Sequence, residues 1–417
     1  VRISHIALDD FRSYRHQVCE LPAGVSVFVG HNGQGKTNLV EAIAYLSTFS
    51  SHRVAADTAL VRVPTGEEAP PGGAMIRVKL VTGEHTTSLS GDNSDNASDT
   101  SQAGESLERR DQAGRRDQVV ELEVVRGKAN RARLNRTTLA AKKILGMIRT
   151  VVFAPEDLSI VRDAPQVRRR FIDECAIQLH PTFSAVRADF DRVARQRAAV
   201  LKAASARVRR GQVPDLSTLE IWDDQFVELS AQVTLERHRV VTLLSTPASD
   251  AYSSVADSPR EFSVGLEASV SAFSDIDVTD PTAHIEALRQ ALQHVRDDEV
   301  RRGVNLVGAH RDDLELTLGH LPVKGYASHG ESWSAALALR LASFEVLSDE
   351  GERPILILDD VFAELDAQRR QALVEVIRQA DQVLITAAVE SDVPDQLDAH
   401  IFRVHWDPED GSVIERE

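Results

Sequence analysis

Residues Gly30 to Thr37 read GHNGQGKT, matching G-x-x-x-x-G-K-[ST] at every fixed position. Before them Val25 to Val29, VSVFV, forms a short apolar run of buried-strand type, and after them Leu39, Ala42, Ile43 and Leu46 recur at helical spacing. Strand, glycine-rich turn and helix in that order let backbone N–H groups converge on a phosphate at the positive end of a helix. Gly30, Gly33 and Gly35 allow the tight turn, with His31, Asn32 and Gln34 between them. Lys36 is the residue that neutralises β/γ oxygens, Thr37 offers a hydroxyl to Mg²⁺, and Asn38 completes the candidate nucleotide-binding set. A plain glycine turn is the competing reading, and the flanking strand and helix argue against it. The motif commits the chain to an α/β body.

A second half of such a site stands far downstream. Ile355-Leu356-Ile357-Leu358 ends in Asp359-Asp360, an apolar run of the kind buried on both faces of a parallel sheet. Asp359 is placed to hold Mg²⁺ through water, and Asp360 to orient or deprotonate the attacking water. The two metal carriers, Thr37 and Asp359, lie 322 residues apart, much farther than in compact P-loop enzymes. Upstream of Asp359, Ser328-His329-Gly330-Glu331 precedes an amphipathic helix through Leu337, Leu339, Leu341, Phe344 and Leu347. A Ser-x-Gly turn at a helix N-terminus is another anion site, and a simple N-cap by Ser328 or Ser332 is its competing reading.

Length bounds the rest. A chain of 417 residues has room for two or three globular bodies. Met75 to Val81, Val119 to Val125 and Ala132 to Asn135 read as strands of an antiparallel arm, and Ile3, Ile6 and Leu8 alternate imperfectly in a strand near the start. Residues 91–118 hold one large aliphatic, Leu107, and are expected to be a disordered insert. From about Val167 to Arg302 helical patterns dominate, punctuated at Pro214 and at the Ser/Pro/Asp-rich stretch 246–260, before strands resume at Leu314. The expectation is a head built from 1–160 and 303–417, with a helical lobe, 161–302, inserted into it.

No apolar run approaches the ~18 residues that span a bilayer, and VRISHIALDDFRSY lacks a signal-peptide core, so a cytoplasmic protein without a membrane partner is expected. Cys19 and Cys175 are too few for a disulfide framework or a four-thiolate zinc site. The net charge of −16 argues against a uniformly basic nucleic-acid coat. The acid is uneven, however: residues 390–417 carry nine Asp/Glu against Arg403 and Arg416, an acidic tail. Arg187, Arg192, Arg195, Arg197, Lys202, Arg207, Arg209 and Arg210 face only Asp189 and Asp191. That stretch reads equally as a duplex-backbone contact or as a solvated helix with internal ion pairs; the absence of interleaved aromatics disfavours single-strand stacking.

The widely split site with a Ser-x-Gly turn before its second half resembles the ABC-type ATPases, in particular their SMC-like branch. FRSY at Phe11 to Tyr14, GHNGQGKTN at Gly30 to Asn38, SHR at Ser51 to Arg53 and FAPEDL at Phe153 to Leu158 resemble segments of the bacterial RecF family, in that family's order. So do RRRFID at Arg168 to Asp173, GAHRDDL at Gly308 to Leu314, SHGE at Ser328 to Glu331 and LDDVFAELD at Leu358 to Asp366. The resemblance covers nearly all of the chain outside the 91–118 insert and the acidic tail.

This resemblance implies an ABC/SMC-like P-loop ATPase head, a mixed sheet with an antiparallel β arm, carrying the inserted helical lobe. It implies a slow DNA-dependent ATPase that binds DNA at single-strand gaps and stalled forks and, with RecO and RecR, helps place RecA. ATP and Mg²⁺ are the implied cofactors, and two copies close head to tail around two nucleotides. By motif, Ser328, Gly330 and Glu331 would meet the γ-phosphate held by the other copy, Asp366 would sit in a loop sensing that copy, and Arg53 would lie near nucleotide or DNA. Arg187, Arg195, Arg207 and Arg210 are the further DNA-contact candidates. Glu331 departs from the Gln more usual in the family, and Thr386 and Ala387 fall where transporters have a switch His. A transporter nucleotide-binding subunit would need only a compact helical insert, and a P-loop kinase would not need Ser328-x-Gly330. A non-enzymatic SMC-like scaffold is the third alternative.

Overall fold

The computed structural model describes residues 1–51, 53–54, 56–64, 70–82, 117–256, 258–274, 276–394 and 396–416. The insert expected at 91–118 lies outside them except for Asp117 and Gln118, which begin a strand.

Three strands lead into the phosphate loop: β1 (Arg2–Phe11), β2 (Tyr14–Glu20) and β3 (Gly24–Val29). Helix α1 (Lys36–Thr48) leaves it. The imperfect alternation of Ile3 and Ile6 has a local cause, a register shift between Ile3 and His5 where β1 pairs with the strand Gly73–Val81. The antiparallel arm follows as β4 (Gly73–Val81), β5 (Asp117–Val125), β6 (Arg131–Leu134) and β7 (Thr137–Ala140), and β8 (Thr150–Phe153) returns to the core.

The middle of the chain is helical: α2 (Pro165–Leu179), α3 (Phe183–Val208), α4 (Leu219–Val255) and α5 (Pro281–Arg302). The break expected at 246–260 begins only at Ala256, because α4 runs straight through Pro247. Leu244, Ala248, Tyr252 and Val255 keep one buried stripe across the proline, and that packing outweighs the lost N–H bond. A strand unforeseen in the sequence, β9 (Phe262–Glu267), lies between α4 and α5. It pairs with β10 (Asp313–Leu318), which pairs with β11 (Leu321–Pro322) in a separate three-stranded sheet. Strands therefore resume at Leu314 outside the head sheet, and this small sheet crosses the boundary expected at 303.

Helix α6 (His329–Asp349) then leads to β12 (Ile355–Asp359), α7 (Ala367–Ile377), β13 (Gln382–Ala387), β14 (Ala399–Asp407) and β15 (Gly411–Arg416). The large sheet has the order β7-β6-β5-β4-β1-β2-β15-β14-β3-β13-β12-β8. Its segment β14-β3-β13-β12-β8 is parallel, and the arm is antiparallel. The acidic tail is thus a hairpin of this sheet, with Phe402 stacked on Phe28 at 5.0 Å. Buried Gln382 locks the two ends of the chain together, accepting from Ile3 N at 2.8 Å and donating to Ile3 O at 2.7 Å. One buried cluster runs without interruption from Val27 and Phe153 of the head through Phe171, Phe226 and Leu244 of the lobe to Phe344 of α6. Among the described residues no helix is long and apolar enough to cross a membrane.

Candidate functional site

Local geometry makes the glycines of the loop obligatory. Gly33 and Gly35 have φ of +86° and +108°, left-handed values that side chains resist. A Cβ on Gly30 would stand 2.2 Å from Val404 O, and one on Gly35 would stand 2.2 Å from Ser412 Oγ. The C-terminal hairpin is therefore the wall of the loop. Tyr14 adds a buried hydrogen bond, its hydroxyl donating to Gly35 O at 3.0 Å. Helix α1 starts with no side-chain cap, which leaves first-turn N–H groups for an anion. His31, Asn32 and Gly33 form the exposed crest of the turn. Lys36, 3% exposed, lies across the loop with Nζ donating to Gly30 O at 2.7 Å and to His31 O at 3.4 Å.

The two halves separated by 322 residues meet directly: Thr37 Oγ1 donates to Asp359 Oδ1 at 2.9 Å. Parallel pairing of β12 with β13 brings in Thr386, whose hydroxyl donates to the same oxygen at 2.6 Å and accepts from Asp360 N at 2.9 Å. Asp360 takes a left-handed φ of +50°, which turns the chain as the strand ends. Burial pushes its carboxyl pKa up, opposed by the charge of Lys36. Among the described residues no group of three or more His, Cys, Asp or Glu could hold a metal. The oxygen pair Thr37 and Asp359 fits a hard divalent cation completed by phosphate oxygens and water. Asn38 donates to Ser13 Oγ at 2.7 Å and accepts from Arg53 Nη1 at 2.8 Å, so Arg53 stands beside the loop. Buried Glu41 anchors this flank, accepting from Arg12 Nε at 2.8 Å and from Ser51.

The Ser-x-Gly turn is built as a reciprocal cap on α6. Glu331 N donates to Ser328 Oγ at 3.2 Å, and Ser328 N donates to Glu331 Oε2 at 2.9 Å. The N-cap considered for Ser328 is therefore present, while Ser332 lies inside the first turn with its hydroxyl on Ser328 O. Glu331 also binds Arg260, and Ser258 Oγ donates to it at 3.3 Å. Asp366 caps α7, accepting from Arg369 N at 3.0 Å, and Arg369 Nη2 reaches Gly330 O at 2.9 Å.

The match to known proteins agrees with this geometry. The model of the RecF/RecN/SMC N terminal domain matches residues 2–405. The "DNA replication and repair protein RecF" of Beutenbergia cavernae is 44% identical over 419 residues, covering 95% of this chain and 96% of that one. This chain belongs to the RecF family. Its fold is that of a solved RecF structure described as "RecF-ATPrS in RecFOR pathway", with a TM-score of 0.79 at 24% identity over 100% of this chain and 98% of that one. An Smc head domain from Pyrococcus furiosus matches at a TM-score of 0.50 and 15% identity, covering 100% of this chain and 96% of that one. The architecture is accordingly an ABC/SMC-type head with an inserted helical lobe.

Within this RecF-family chain the basic stretch is divided. Arg197 is fully buried, bound to both oxygens of Glu299 at 2.8 and 2.6 Å and to Asp223 at 2.7 Å. Arg187 is engaged by Asp173 at 2.8 Å and by Asp191. The expected strip thus loses Arg197 to the lobe's interior, and Arg187 is half-buried in ion pairs. Arg192, Arg195, Lys202, Arg207, Arg209 and Arg210 are exposed, with Arg192 paired to Asp189 at 3.2 Å. His310-Arg311-Asp312-Asp313 is structural: Asp313 pairs with Arg168 at 2.7 Å, and buried Asp312 accepts from Thr234 at 2.8 Å and from Arg237 at 3.2 Å. Sequence reasoning misses Arg260, Arg369, Glu41 and the role of Thr386. Arg369 has a weak signal in its position three residues after Asp366; Arg260 has none, since its partner is 71 residues away.

Proposed function

We propose that this chain is an ATP-dependent DNA-binding protein of recombinational repair and replication-fork maintenance, a slow DNA-dependent ATPase that closes as a homodimer on duplex DNA and gap junctions. The observation that carries the reading is the bond from Thr37 to Asp359. It completes one half of an ATP site within a single chain. Among the described residues, Ser328, Gly330 and Glu331 bond to one another, to Ser332 and to Arg260, Ser258 and Arg369, and not to the phosphate loop. Their turn is free to serve the loop of a second copy.

The loop amides and the N-terminus of α1 hold the β-phosphate, and Lys36 exchanges its carbonyl partners for β/γ oxygens. An open cavity of about 630 Å³ beside the loop, lined in part by Arg12, Ser13, Asn38, Arg53 and Trp406, has the size to take the nucleoside. Mg²⁺, held by Thr37 and through water by Asp359, would offset charge developing on the phosphates. Asp360 orients the attacking water or accepts its proton. The Ser328 hydroxyl and the Gly330 backbone N–H donate to the γ-phosphate across the dimer, and Asp366, linked to Gly330 through Arg369, senses the partner. Asp is a short arm for water placement, which suits hydrolysis used as a timer. The RecFOR pathway named for the solved RecF structure supports RecO and RecR as partners, and its description as a "recombination mediator protein" supports a role in recombination; RecA loading is the outcome we propose for this chain.

Sedimentation velocity with ATP, ADP or no nucleotide tests this. ATP converts monomer to dimer and ADP does not. Ser328→Arg abolishes the dimer while retaining ATP binding, even though the lost cap costs about 1 kcal/mol. A monomer under all conditions would overturn the reading.

A further inference from the structure

We infer that Arg260 is a positioning residue of the trans ATP contact: it neutralises Glu331 so that the N-terminus of α6 can receive the γ-phosphate of a second copy. This rests on the dimer reading above.

Glu331 occupies the third position of α6, where a carboxylate favours the helix when nothing else is bound. The same helix end is the one offered to a phosphate, and an anion arriving there meets a charge already in place. Glu331 is ionised at neutral pH, its pKa held down to about 2 by the Ser328 N–H first and by Arg260 next. Its two oxygens are fully engaged: Oε2 accepts from Ser328 N at 2.9 Å, and Oε1 accepts from Ser258 and Arg260. Of these partners Arg260 alone brings a positive charge, and it comes from a distant element. Arg260 stands between the end of α4 and β9, so the helical lobe supplies the cation paired with the Ser-x-Gly turn of the head. Its guanidinium is one-third exposed and the carboxylate 18% exposed, a pair at the rim of the turn. Arg162, on His329 Nδ1 at 2.9 Å, and Arg369, on Gly330 O, Ser334 Oγ and the Asp366 carboxylate, also stand near the turn, but their bonds leave the Glu331 carboxylate to Arg260.

Charge compensation makes a prediction that a merely structural salt bridge does not. Removing the cation must harm closure, and removing the anion as well must restore it. Arg260→Ala, Glu331→Gln and the double variant are compared with the parent chain by sedimentation with a non-hydrolysable ATP analogue. The expected result is that Arg260→Ala needs at least about tenfold more protein to dimerise, because like charges face each other across the closing site. The double variant returns to the level of Glu331→Gln. Nucleotide affinity of the Arg260→Ala monomer equals that of the parent, which shows that the cis site and the fold are intact. An Arg260→Ala chain that dimerises like the parent, or a double variant as weak as Arg260→Ala, overturns the inference while leaving the dimer reading in place. A parent chain that stays monomeric overturns both.

Discussion

The hydroxyl of Thr386 lies 2.6 Å from Asp359 Oδ1 and donates to it. That oxygen also accepts from Thr37 at 2.9 Å, and Thr386 Oγ1 in turn accepts from Asp360 N at 2.9 Å. Thr386 thus ties the Asp359 carboxylate and the Asp360 backbone together at the end of β12, and the consequence is measurable.

Thr386→Val keeps the shape and removes both bonds. A hydrogen bond to a charged group contributes about 1.5–3 kcal/mol, so ATP turnover should fall roughly 10- to 100-fold with nucleotide binding retained. Steady-state hydrolysis beside fluorescent-nucleotide titration decides it, and unchanged turnover would remove Thr386 from the site.

Asp360→Asn and Lys36→Met should diverge. The first retains the phosphate cradle and loses the water-orienting carboxylate, so its ATP-bound dimer outlives that of the parent. The second can no longer hold the γ-phosphate and stays monomeric. Dimer lifetimes after dilution separate the two; matching short-lived complexes would show that the roles are assigned wrongly.

Arg197→Ala should destabilise the chain by about 3–5 kcal/mol, because it strands the fully buried Glu299 carboxylate without its partner. Arg195→Ala, two positions away and exposed, should stay within about 0.5 kcal/mol. Urea midpoints of the two variants test the division of the helix into a buried and a solvent face.

His310 should make stability fall in mild acid. Burial against Phe190 and Phe226, helped by the charges of Arg311, Arg169 and Arg197 and opposed by the hydrogen bond to the Asn305 carbonyl, pushes its pKa from 6.5 down to about 4. Between those values the unfolded chain binds a proton that the folded chain refuses, so stability drops as pH falls from about 6.5 to 4 and this contribution then levels off. The loss is on the order of 3 kcal/mol. His310→Phe should flatten that part of the curve; an unaltered slope would assign it to other groups.

Arg195, Arg207 and Arg210 changed together to Glu should weaken duplex binding similarly for unrelated sequences, with ATP binding kept. Every phosphate that these side chains cease to neutralise should flatten the slope of log K against log salt by ~0.9. Titrations at several salt concentrations with ATP present make the test, and an unmoved slope would place the grip near Arg53 instead.

What was legible in the sequence was local. Gly30 to Thr37 declared a phosphate loop because a left-handed turn before a helix admits few residues, and Ile355 to Asp359 declared a parallel strand because burial on both faces forces an unbroken apolar run. Ser328 and Glu331 three residues apart carried their own cap, as short-range hydrogen bonding allows. Proline at 247 misled, since the stripe it interrupts was stronger than the bond it removes.

Tertiary structure alone decided which charges are solvent-facing and which are partners. Arg187, Arg195 and Arg197 are alike in sequence, yet one faces Asp173, one faces water and one is sealed against Glu299 from 102 residues away. The acidic tail, whose role its charge leaves open, is the wall of the phosphate loop, because pairing of β14 with β3 and of β15 with β14 puts Val404 and Ser412 against Gly30 and Gly35. Backbone turns and apolar periodicity are written into neighbouring residues, whereas the worth of a charge depends on the dielectric and the counter-charge around it, and those are supplied by segments that only folding brings together.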